Sequence, residues 1–210
     1  MDIIKQLSSQ QGERSSFPNK EVAKLCIENP HLLSEIAAHM NEKDQGMRSD
    51  CAEVFTVVAE SDPQLVLPFA KQIINNFFTA KKKERWELAH ALALIANQCE
   101  ELIYSNLTEL QQIIVSEKSI IVRDFIFLAI ARYAGSSAKA AKSALNLLLK
   151  AHEIWGEKHG KQVMIGFQGV YNKLQADESN QVMIDIANQY LLAKKAVVRN
   201  EAKRFLRLIR

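Results

Sequence analysis

The chain has 210 residues, 48 % of them hydrophobic and 24 % charged, with a formal net charge of +3. That balance excludes a disordered chain, and no apolar run approaches the ~18 to 20 residues that a bilayer-spanning helix requires. Gly and Pro supply only 7 and 4 residues, and Pro18, Pro30, Pro63 and Pro68 all fall in the first third, which disfavours a turn-rich β-sandwich. Met1-Asp2-Ile3-Ile4-Lys5 lacks the basic start and long apolar stretch of a signal peptide, so the expected compartment is the cytoplasm.

In chain order, the first twenty residues carry Ser8-Ser9-Gln10-Gln11-Gly12 and Ser15-Ser16 and read as a loose entry, so residues 1–29 are expected to form an N-terminal capping segment. From there the pattern is helical almost throughout. Apolar spacing predicts helices over 19–28, 30–41, 45–60, 63–79, 82–98, 101–116, 119–134, 137–153, 158–175, 179–193 and 195–210. Asn29-Pro30 and Asp62-Pro63 read as an N-cap followed by a first-turn proline, and Ser136 and Asp177 read as caps of two later helices. The links are a few residues long, so consecutive helices must pair as hairpins. Cys26, Cys51 and Cys99 are far apart, odd in number and free of any CxxC pair, and they read as core residues.

One landmark repeats. A basic residue opens every second helix at Arg48, Arg85, Arg123, Lys161 and Arg199, at spacings of 37, 38, 38 and 38 residues. Three residues after each stand Cys51, Leu88, Ile126, Met164 and Ala202, and seven after stand Phe55, Leu92, Ile130, Gln168 and Leu206, one helical stripe broken only by Gln168. A hairpin of this length cannot bury both its faces alone, so its neighbours must complete the core. With this two-helix unit, Pro63 and Pro68 in the first helix of the second unit and the recurring basic residue, the chain resembles the HEAT-repeat family of armadillo-like proteins over residues 30–210. Asp44 fits the Asp that HEAT units carry in the hairpin turn, whereas Lys81, Ser119, Glu157 and Lys195 stand there in later units. The resemblance implies an all-α, right-handed superhelix of about five hairpins forming a single domain, with the second helices lining its concave side.

A cation at a helix N-terminus opposes the macrodipole, so five in register need a compensating partner. Asp50, Glu87, Asp124 and Glu201 follow their landmarks by one or two residues and could pair with an arginine of the adjacent unit. The competing reading is a line of cations that binds phosphates or an acidic peptide. Lys161 has no acid at either offset and is the rung expected to stand free. Gly166 and Gly169 interrupt a helix at about 1 kcal/mol each, which close helix approach or a shallow patch for a partner would explain, with Gln168 beside them. Lys194 to Arg210 holds seven basic residues against one acid, Glu201, and the stripe Val198, Ala202, Phe205, Leu206 and Ile209 leaves Lys203, Arg204 and Arg207 on the opposite face.

Catalytic chemistry is not legible. The sequence contains no HExxH pair, GxSxG elbow or glycine-rich phosphate loop. His152 and His159 bracket a turn with Trp155 without a third metal ligand, so no metal, cofactor or catalytic residue is assigned. The expected function is a non-enzymatic scaffold that binds an acidic or helical protein segment. Its candidate surface comprises Arg48, Arg85, Arg123, Lys161, Gln168, Arg199, Lys203, Arg204 and Arg207. Trp86 beside Lys81-Lys82-Lys83 admits the alternative that the family resemblance also implies, nucleic-acid binding or DNA alkylation repair. A net charge of only +3 disfavours that alternative.

Overall fold

The computed structural model describes residues 2–175 and 180–209, which are helices and short connections with no strand among them. Thirteen α-helices are described: α1 (Phe17–Glu28), α2 (Leu32–Ala38), α3 (Gln45–Ser61), α4 (Pro63–Val66), α5 (Ala70–Thr79), α6 (Lys82–Ile95), α7 (Glu100–Ser105), α8 (Leu107–Ser116), α9 (Ile120–Ala134), α10 (Ala138–Trp155), α11 (Gly160–Leu174), α12 (Asn180–Tyr190) and α13 (Ala196–Leu208). No helix among the described residues is long and apolar enough to cross a membrane.

The predicted helices lie within a few residues of these elements, and the exceptions have local causes. The 63–79 segment divides at Leu67–Phe69, where Pro68 lacks the N–H that continues an α-helix. The 101–116 segment divides at Asn106, whose side chain turns back to donate to the Leu102 carbonyl. Asp62 caps α4 by accepting from the Gln64 N–H. Asn29, expected to open a helix, instead closes α1 and donates to the Leu25 carbonyl. The cap of α10 is Ser137 rather than Ser136, and Asp177 lies outside the described residues. Asp44 caps α3 through the Met47 N–H and Ser119 caps α9 through Val122. Ser119 thus serves at this turn position as Asp44 does, whereas Lys195, at the N-cap of α13, supplies no side-chain cap.

Two compact units are present, Met1–Ile95 and Ala96–Arg210. In the first, α3 packs on α1 and α6, and α5 packs on α6. Ile3, Leu7, Val22, Cys26, Ile36, Cys51, Phe55, Ile73, Phe77, Leu88 and Leu92 fill its core. The serine-rich entry is held against this core: Ile3 and Leu7 are buried, and the Ser8 N–H donates to the buried Asn19 Oδ1 at 2.9 Å. Two apolar residues four apart, together with the hydrogen bond to Asn19, anchor a segment whose composition reads as loose. Burial raises the Cys26 and Cys51 thiols to about 12, which leaves both as unreactive packing residues.

In the second unit α11 is central, packing on α9, α10, α12 and α13. Its glycines explain how. A Cβ on Gly169 would stand 3.1 Å from the Gly135 backbone nitrogen, and one on Gly166 would stand 2.5 and 2.7 Å from the two methyls of buried Leu148. Of the two accounts of these glycines, close helix approach is the one the packing displays. Gly166→Ala is expected to destabilise the protein by about 1 to 3 kcal/mol, because overpacking outweighs the gain in helix propensity. An unchanged or raised midpoint in urea unfolding would show that Leu148 can move aside.

Candidate interaction surface

The basic landmarks sit in the first turns of α3, α6, α9, α11 and α13, where a cation faces the positive end of its own helix. Four of them resolve this by reaching backward. Arg48 Nη1 donates to the carbonyls of Glu42 and Lys43 at 2.6 and 3.0 Å, six and five residues upstream. Arg199 Nη1 does the same with Ala193 and Lys194 at 2.8 and 2.7 Å. Arg123 Nη1 donates to the Glu117 carbonyl, the C-cap of α8. Arg85 Nη1 donates to the Phe77 carbonyl at 2.6 Å, with its guanidinium 4.5 Å from the Phe77 ring centre. Arg85 and Arg123 thereby satisfy carbonyls at the ends of α5 and α8, where their charge lies at the negative end of the helix dipole, whereas Arg48 and Arg199 tie down carbonyls of the connections that lead into α3 and α13.

The remaining donor of two of these arginines links one hairpin to the next. Arg48 Nε donates to both carboxylate oxygens of Glu84 at 3.1 and 3.2 Å, and Glu84 is only 3 % exposed. Arg123 Nε donates to His159 Nε2 at 3.1 Å, and its guanidinium lies 3.9 Å from the Trp155 ring centre. Both partners lie 36 residues downstream. The acids expected to pair with the ladder bond elsewhere. Asp50 accepts from the Ser9 N–H and Asn19; Glu87 accepts from Trp86 Nε1; Asp124 accepts from His159 and Gln162; and Glu201 accepts from Gln168 and Arg204. Burial pushes the Glu87 carboxyl above its ordinary range, and the hydrogen bond from Thr56 offsets part of that rise.

Sequence reasoning missed Glu84, and it placed His159 and Trp155 at a turn without pairing them with Arg123. The signal available was an offset: Glu84 stands one residue before its own landmark and His159 two before, rather than after it. The two imidazoles that bracket the turn do not meet. His152 Nδ1 lies 2.7 Å from Tyr190 Oη, whose hydroxyl donates to the Gly156 carbonyl, while His159 faces Asp124. No group of three or more His, Cys, Asp or Glu side chains suited to a metal occurs among the described residues.

Of the nine candidate residues, Gln168 is engaged by Glu201 at 3.1 Å and Arg204 by the same carboxylate at 3.2 Å. Lys161, Lys203 and Arg207 are exposed and carry no hydrogen bond or ion pair among the described residues. On α13, Val198, Ala202 and Phe205 are buried, Leu206 and Ile209 are half-buried, and Lys203, Arg204 and Arg207 face outward.

No protein-family model matches the chain and no curated protein matches it. Among solved structures, a designed armadillo repeat protein in complex with peptide (KR)4 is similar, with a TM-score of 0.75 and 17 % identity over 99 % of this chain and 98 % of that one. A second designed armadillo repeat protein gives 0.74 and 15 % over 99 % and 98 %. The archaeal HEAT-like repeats protein from Thermococcus onnurineus NA1 gives 0.53 and 13 % over 93 % and 97 %. The fold is an armadillo/HEAT-like α-solenoid. In this solenoid the candidate residues differ in what they leave available, since the four landmark guanidiniums hold main-chain carbonyls of the preceding segment and the candidates without a partner among the described residues, Lys161, Lys203 and Arg207, lie on α11 and α13.

Proposed function

We propose that the protein is a non-enzymatic scaffold of the cytoplasm that binds an acidic protein segment, with residues 1–29 as its cap and 30–210 as its working array. The observation that carries this reading is the set of cations Lys161, Lys203 and Arg207 in the second unit, exposed and unpaired among the described residues, joined by Arg204, which is itself largely exposed while it pairs with Glu201. A designed solenoid of the same fold holds a cationic peptide, (KR)4. The uncommitted groups here carry positive charge themselves, as that peptide does, so charge complementarity calls for an anionic segment. The apolar stripe of α13 is engaged in packing, which leaves the helix a rigid platform for its cations.

The test is the association rate of an eight-residue glutamate peptide, measured over a range of salt. Replacing Lys203, Arg204 and Arg207 together by Gln should slow association roughly tenfold at low ionic strength and flatten its salt dependence, because the lost charges act through steering. Equal rates for parent and variant would overturn the reading. Tighter binding of a short DNA duplex than of the peptide, lost in the same variant, would assign the surface to nucleic acid instead.

A further inference from the structure

We propose that His159 is an acid-sensitive latch: when its imidazole takes up a proton, it releases Arg123 and uncaps the end of α8. An arginine Nε carries its hydrogen at every accessible pH, so it can only donate. The 3.1 Å contact from Arg123 Nε therefore requires a lone pair on His159 Nε2. Nδ1 must then carry the hydrogen, and it donates to Asp124 Oδ1 at 2.6 Å. The bond exists for one protonation state and one tautomer of the ring.

Protonation places a hydrogen on Nε2, directly against the Arg123 N–H. His159 is 1 % exposed, so the new charge stays desolvated. The charged groups around it are Arg123 and Asp124 of α9, with Lys158 from the preceding turn lying 5.7 Å from the Trp155 ring centre. From α11, Gln162 donates to Asp124 Oδ1 at 3.0 Å, and the uncharged rings of Phe127 and Trp155 lie 4.6 and 6.1 Å from the imidazole, centre to centre. Two cations would then stand in contact, with Asp124 bonded to the imidazolium alone of the two. Asp124 keeps its bond, because Nδ1–H is present in both states, so Arg123 is the group that leaves. In leaving, it gives up the Glu117 carbonyl and its place over Trp155 together.

NMR titration of the full chain from about pH 8 to about pH 5, where imidazoles change charge, tests the latch. The Arg123 Nε–H and Trp155 Nε1–H signals should shift with the His159 ring at one common midpoint, with loss of amide-exchange protection around residues 117–122. His159→Gln keeps both contacts without titrating, since its carboxamide oxygen accepts from Arg123 and its nitrogen donates to Asp124; both signals should then stay constant. The same titration in His159→Gln as in the parent would overturn the proposal. The ring nitrogens of the parent at neutral pH provide an independent check that needs no variant: hydrogen on Nδ1 supports the latch and hydrogen on Nε2 overturns it.

Discussion

Replacing Arg123 by Met should lower stability by about 2 to 4 kcal/mol, because the side chain is 4 % exposed and its donors have no water to fall back on. Met fills much of the volume and stacks on Trp155, so the loss isolates the polar contacts. His159 Nε2 and the Glu117 carbonyl each lose a donor. Urea unfolding followed by far-ultraviolet circular dichroism measures the effect. Arg123→Lys should recover only a part, since a single ammonium cannot reach both acceptors in the planar geometry of the guanidinium fork. A midpoint unchanged in Arg123→Met would mean that the guanidinium is not what registers α8, α9 and the 159 turn.

Asn19→Ala should be costlier, at about 3 to 5 kcal/mol, because one amide joins two buried carboxylates to the N-terminal segment. Asn19 Nδ2 donates to Asp50 Oδ1 at 2.8 Å and to Glu53 Oε2 at 2.7 Å, while its oxygen accepts from the Ser8 N–H. Without it, Glu53 retains Lys83 and Asp50 retains the Ser9 N–H, but the two acids face each other across a gap. The segment before α1 should then become a site of limited proteolysis. A loss under about 1 kcal/mol with the segment still protected would show that Ile3 and Leu7 alone hold it.

The repeat was legible because its signal is local. Cys51, Leu88, Ile126, Met164 and Ala202 recur in register, and all five are buried. Each hairpin must bury the same face, and a helix of period 3.6 marks that face in the sequence whatever lies opposite. The basic landmarks recur for the same reason, since the geometry of a hairpin turn repeats with the unit. Lys161 illustrates the limit of that regularity, holding the register without the contacts its arginine counterparts make.

What the arginines do was decided only in three dimensions. Their Nη1 atoms bond to main-chain carbonyls, and every residue type supplies a carbonyl, so Glu42, Glu117 and Ala193 share no side-chain feature that a reader could search for. The partners of Nε lie 36 residues away and differ in kind, a carboxylate at Glu84 and an imidazole at His159. Sequence alone therefore determined the helices, their order and the apolar columns, because those follow from short-range periodicity. Only tertiary structure decided which candidate cations are committed to main-chain carbonyls and which remain available on α11 and α13, because that depends on how close each guanidinium comes to the segment before its own helix.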